Sequence, residues 1–88
     1  VIAVTIYSRD GCHLCEQMKA VVEQVGRSVA LTLEEIDIST DPALEASYGS
    51  DIPVLLVGGR KAAKYRVTEA ELRRILAART ASDAEGAG

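Results

Sequence analysis

The chain has 88 residues, a formal net charge of −3 and neither tryptophan nor phenylalanine. That length builds one domain rather than two, and interspersed charges without a basic stripe or an aromatic platform exclude nucleic acid as the expected partner. Hydrophobic residues make up 48%, enough for a core, but an aliphatic one, because Tyr7, Tyr48 and Tyr65 are the only aromatics.

The longest apolar run, Ile52 to Val57, is far short of a membrane span and contains a proline. The N-terminus "VIAVTIYS" lacks the basic head and cleavage site of an export signal. No membrane association is expected, and the expected location is the cytoplasm. A chain this small buries roughly 60–65% of its surface, so it is expected to be moderately stable unless a disulfide contributes.

"VIAVTIY" (Val1–Tyr7) is β-branched and nearly continuous in apolar character, the pattern of a buried central strand. "SRDG" follows as a loop. From Cys12 the period becomes helical: Leu14, Met18, Val21, Val22 and Val25 share one face, and Glu16, Lys19 and Glu23 fall outside it. Gly26 stands where a C-cap glycine belongs. The spacing predicts a helix over Cys12–Val25. Val29–Ile38 reads as a second strand whose alternation slips at Glu34-Glu35, either through a bulge or through a late start. Asp41 is the expected N-cap, and Pro42 the first residue, of a short helix to Tyr48, closed by Gly49.

Ile52–Val57 is the third strand. Gly58-Gly59 forms a two-residue hairpin turn, and "RKAAKYRV" returns as a charged edge strand. "TEAE" (Thr68–Glu71) is a capping box opening a last helix with Leu72, Ile75 and Leu76 inward. The expected domain covers residues 1–79, and residues 80–88 read as a flexible C-terminal tail. The expected fold is α/β, β-α-β-α-β-β-α. A four-stranded mixed sheet is flanked by helices on both faces: the first two strands are parallel and the last two form an antiparallel hairpin.

Two residues separate Cys12 and Cys15, the only cysteines, and His13 between them is the only histidine. Such a pair is a redox couple, a set of metal ligands, or two small core residues. Without an export signal, a close pair is more often catalytic or metal-binding than a structural staple. The address favours chemistry, because Cys12 follows a loop at the start of a helix. Unpaired N–H groups and a partial positive charge there favour the thiolate, the form that attacks disulfides. Arg9 and a protonated His13 add to that effect, and Asp10 and Glu16 oppose it. Cys15, one turn into the helix on its buried side, should be less accessible. Pro53, at the start of an interior strand, removes a ladder hydrogen bond. A cis Ile52–Pro53 bond would account for it and leave the backbone of Ile52 free to pair with an extended substrate.

"YSRDGCHLC", the element order and "DIPVLLV" together resemble the thioredoxin superfamily, in particular its small glutaredoxin-like members with a Gly-Cys-His-Leu-Cys motif. The resemblance runs from Ile2 to about Arg79. It implies dithiol–disulfide exchange, with Cys12 as nucleophile, Cys15 as resolving thiol, Pro53 as the cis proline of a substrate groove and Arg9 as the basic residue near the nucleophile. It also implies protein or small-thiol disulfides as partners, glutathione as a candidate co-substrate, no bound cofactor and a monomer.

Two departures bear on glutathione. His13-Leu14 replaces the usual Pro-Tyr, and "VTEAE" stands where a Gly-Gly and Asp stretch normally holds the ends of glutathione. The helix start at Thr68 offers N–H groups to a carboxylate, but Glu69 and Glu71 oppose it. The alternative reading is a non-enzymatic binding module that holds a metal or iron–sulfur cluster between two chains, or recognises a partner peptide. Cys12, His13 and Cys15 supply at most three ligands, so a closed zinc site would need a second chain. Glu16 after Cys15 excludes c-type haem attachment.

Overall fold

The computed structural model describes residues 1–87, with side chains through residue 79. Strand β1 (Ile2–Ser8) leads into helix α1 (His13–Val25), then β2 (Leu31–Asp37) and a short 3-10 turn (Ile38–Thr40). Helix α2 (Pro42–Tyr48), strands β3 (Val54–Val57) and β4 (Arg60–Lys64) and helix α3 (Glu69–Ala87) complete the expected order. The sheet runs β2-β1-β3-β4. β1 is parallel to β2, antiparallel β3 lies on its other side, and β4 forms the antiparallel edge.

The core lies on one face of this sheet. Val4 and Ile6 of β1 pair in register with Val57 and Leu55 of β3, so all four point the same way. They meet Met18, Val22 and Val25 of α1 and Leu72 and Leu76 of α3. The helical spacing of these residues is what makes α1 and α3 pack there. The opposite face is covered near its Cys12 end by α2, where the Tyr48 ring lies 4.8 Å from that of Tyr7. All four residues of β3 are buried, which explains its unbroken apolar sequence.

That two-faced arrangement resolves the slip in β2. Its register with β1 is unbroken from Ile2↔Leu31 to Ser8↔Asp37, so there is no bulge. The strand starts late, at Leu31, and changes the face that is covered. Leu31 and Leu33 pack on the α1–α3 core, whereas Ile36 is the partner of Tyr7 and shares its face. An irregularity does occur elsewhere, between Leu55 and Leu56 in the β3–β4 ladder.

Other boundaries follow local chemistry. Asp41 caps α2 by accepting from the N–H groups of Ala43 and Leu44. Gly58 and Gly59 both have positive φ, 59° and 83°, as their hairpin turn requires. Gly26 is the C-cap of α1 but stays right-handed, at φ −61°. β4 stops at Lys64 rather than running to Val67, because Tyr65 turns left-handed at φ 68°. Helix α3 continues to Ala87, into the 80–88 segment expected as a flexible tail. No helix among the described residues is long and apolar enough to cross a membrane.

Candidate active site

Cys12 reaches its position through a tight turn. β1 ends at Ser8, Gly11 takes φ 77°, and the Cys12 N–H donates to the Arg9 carbonyl at 3.2 Å. A side chain at φ 77° is strained, which accounts for glycine there. Cys12 is itself the N-cap of α1, with extended backbone at φ −84°, ψ 110°. Its Sγ accepts the Cys15 N–H at 3.1 Å, the role usually taken by a Ser or Asp oxygen. Cys15 is 1% exposed and Cys12 half-buried. The two are joined in a disulfide, with Cα atoms 5.2 Å apart. His13 is exposed beside them.

An open groove of about 330 Å³ borders the pair, walled by the β1–α1 turn, the outer face of α1 and the end of β2. The parallel register places Asp37 opposite Ser8, which brings its carboxylate to this end of the sheet. Asp37 accepts from the hydroxyl and backbone N–H of Ser39 at 2.6 and 2.9 Å. These bonds, aided by the Arg9 guanidinium, hold its carboxyl below the ordinary carboxylate range. Arg9 forms an ion pair with Glu45 of α2, so its charge is shared with a carboxylate as well as facing the groove. Lys19, one turn beyond Cys15 on α1, pairs with Glu35 of β2 at 3.6 Å.

The Ile52–Pro53 peptide is cis. Because Val54 pairs with Tyr7, Pro53 flanks the end of β1 that leads into the cysteine turn. Pro53 is buried and Ile52 half-buried. The Pro53 carbonyl accepts the Tyr65 N–H at 2.8 Å, and the Tyr65 hydroxyl lies 3.2 Å from an Asp51 carboxylate oxygen. Tyr65 thus ties the Ser50–Pro53 loop to the segment before α3.

Thr68 caps α3 through the expected box. Its hydroxyl accepts the Glu71 N–H, and its own N–H donates to the Glu71 carboxylate, both at 3.1 Å. It lines a separate apolar cavity of about 170 Å³ with Leu14, Met18, Tyr65 and Val67. The structure therefore gathers Cys12, Cys15 and Arg9 at one groove, sets Ile52 and Pro53 at the same end of the sheet, and leaves Thr68 across α1.

Sequence reasoning did not single out Ser8, Lys19, Glu35, Asp37 or Glu45 as site residues. Only the parallel register reveals Asp37 and Glu35. Glu45 meets Arg9 across 36 residues of chain, and no local pattern signals that contact. Among the described residues, no group of three or more His, Cys, Asp or Glu side chains is arranged to hold a metal ion.

Comparison with known proteins agrees with this geometry. A Mycobacterium tuberculosis protein, Rv0508, is 27% identical over 82 residues, covering 88% of this chain and 84% of its own. The structure of protein XcR50 from X. campestris superposes with a TM-score of 0.73 at 36% identity, covering 85% of this chain and 96% of that one. That of Ne2328 from Nitrosomonas europaea gives 0.74 at 26% identity, covering 84% and 89%. A Halobacterium salinarum thioredoxin, 23% identical with a TM-score of 0.58 over 84% of this chain and 70% of its own, shares the fold. The profile of the glutaredoxin-like domain (DUF836) matches residues 3–77. With its Cys12–Cys15 disulfide on a thioredoxin fold, the chain belongs to the glutaredoxin-like domain family, DUF836.

Proposed function

We propose that this protein is a thiol–disulfide oxidoreductase acting through Cys12 and Cys15. The observation that carries this reading is the cap of α1: a half-buried cysteine sulfur receives a helix N–H and is bonded to a buried second cysteine one turn on. In the reduced protein the same N–H groups favour the Cys12 thiolate.

The Cys12 thiolate attacks one sulfur of a substrate disulfide. The Cys12–substrate bond forms as the substrate S–S bond breaks, and the second substrate sulfur leaves as a thiolate that takes a proton from solvent. Cys15, deprotonated in turn, attacks Cys12 Sγ, closes the internal disulfide and releases the first substrate sulfur. Two electrons pass from the protein dithiol to the substrate, and the reverse sequence oxidises a dithiol. The chemistry uses protein or small-molecule disulfides, with glutathione as a candidate co-substrate, and requires no bound cofactor.

Ile52 lies outside the β1–β3 ladder and offers its backbone to an extended substrate beside Pro53. His13 and Arg9 modulate the thiolate from the surface. Thr68 has its N–H already bonded to Glu71, which weakens its claim as a carboxylate site.

A single-turnover assay of the reduced protein against a neutral small disulfide tests the reading. Cys12→Ser should abolish exchange, and Cys15→Ser should accumulate a mixed disulfide visible by intact mass. Full activity in Cys12→Ser would overturn the mechanism.

A further inference from the structure

The groove beside the disulfide is unequally charged. Asp10, Glu16, Glu35 and Asp37 line it against only Arg9 and Lys19. Both cations are already matched, Arg9 by Glu45 and Lys19 by Glu35. The carboxylates of Asp10 and Glu16 have no ion-pair or hydrogen-bond partner among the described residues, and both side chains are exposed. Asp37 is half-buried and turned to the Ser39 hydroxyl.

Ser8 adds a second, independent feature. It lines the same groove, is only 5% exposed, and its hydroxyl is hydrogen-bonded to no group among the described residues. Ser8 is nearly buried but its unbonded hydroxyl oxygen is not sealed off, so it is an unused acceptor, open to the acidic groove, for an ammonium or guanidinium N–H.

Resting on the thiol–disulfide reading above, we propose that this groove selects disulfides carried on cationic segments, with a lysine or arginine next to the reacting cysteine, and disfavours anionic ones. Glutathione, a net anion, is then a poor partner. The exchange step is unchanged: the attacking and leaving sulfurs are those already described, and the groove acts on the encounter and the pose of the mixed disulfide. Unit charges about 8 Å apart in water change an encounter equilibrium by about twofold per pair, and salt reduces this within a Debye length of about 8–10 Å. With two unmatched carboxylates and only the nearer charge of each probe at that distance, a cationic disulfide gains about fourfold and an anionic one loses about fourfold, a discrimination on the order of tenfold at low salt.

The test measures single-turnover rates of the reduced protein with three disulfides: cystamine, a dication; bis(2-hydroxyethyl) disulfide, neutral; and oxidised glutathione, a net dianion. Rates are taken across a salt series, for wild type and for the double variant Asp10→Asn/Glu16→Gln. The expected result is a cystamine rate that falls with salt, a glutathione rate that rises with it, and a cystamine-to-glutathione ratio about tenfold lower in the variant. Because the ratio is compared within one protein, a change in thiolate reactivity common to all probes cancels. Ser8→Ala should lower the cystamine rate more than the neutral one. Exchange with the neutral disulfide but a ratio unchanged by salt and by the variant overturns the charge selection alone. No exchange with any probe overturns the oxidoreductase reading and this inference together.

Discussion

Reducing Cys12–Cys15 should make the protein less stable, by an amount set by two opposing effects. The bond closes a loop between residues only three apart in sequence. In the chain-entropy description such a short loop contributes about 2 kcal/mol by restricting the unfolded chain. Reduction removes that term but creates a thiolate at the N-cap of α1, where the Cys15 N–H already points at Cys12 Sγ. A charge at a helix N-terminus gains about 0.3–1 kcal/mol when exposed, rising to about 2 in favourable partly buried sites.

Cys12 Sγ accepts a single helix N–H, that of Cys15, so the smaller figure is the fitting one, and the oxidised form should stay ahead by about 1 kcal/mol. With an m-value of about 1 kcal/mol/M in urea, the midpoint of the reduced protein should lie about 1 M lower. Urea titrations followed by far-UV circular dichroism, with and without a phosphine reductant at neutral pH, measure this directly. A reduced form as stable as the oxidised one, or more so, would refute the reasoning. The field at the start of α1 would then outweigh the cross-link.

Other substitutions test the frame that holds the site. Leu55→Ala removes a fully buried side chain facing Ile6 and the α1–α3 core, and should cost about 2–5 kcal/mol in urea unfolding. Thr68→Ala leaves the Glu71 N–H without its acceptor and should cost about 1 kcal/mol, read from the same titration. Asp37 has a folded carboxyl below its ordinary value, so its contribution to stability is present above that value and is lost as pH falls through the depressed one. Ser39→Ala should move the Asp37 midpoint back upward in a carboxyl carbon NMR titration, and an unmoved midpoint would contradict the cause assigned here.

Periodicity located the elements that carry the chemistry. The switch from the β-branched run of β1 to helical spacing at Cys12 was readable because a strand and a helix bury different residues, and the structure puts the helix start one residue away, at His13. The Thr68 capping box, the Asp41 cap and the Gly58-Gly59 turn were readable because their bonds are local. Where the chain crosses from one covered face to the other, as at Glu34-Glu35, the pattern showed a slip but not its cause. The left-handed turn at Tyr65 carries no glycine or asparagine to announce it; its hydrogen bonds to the Ser50–Pro53 loop hold it there.

The site was legible only where it is contiguous. Cys12, Cys15, Arg9 and His13 lie within seven residues of one another. The pairing of Arg9 with Glu45 and the approach of Glu35 and Asp37 depend on tertiary register, and they change the electrostatic picture. Arg9, expected as the basic residue near the nucleophile, shares its charge with α2, and the groove is left with a surplus of carboxylates.

The most direct measurement of the central claim is a redox titration. The pure protein is equilibrated in thiol buffers of graded poise, quenched with acid, alkylated and read by intact mass. The account predicts one reversible two-electron transition in which Cys12 and Cys15 lose and regain their thiols together. Thiols that stay reduced across the whole range, or are protected from alkylation until a chelator is added, would contradict it.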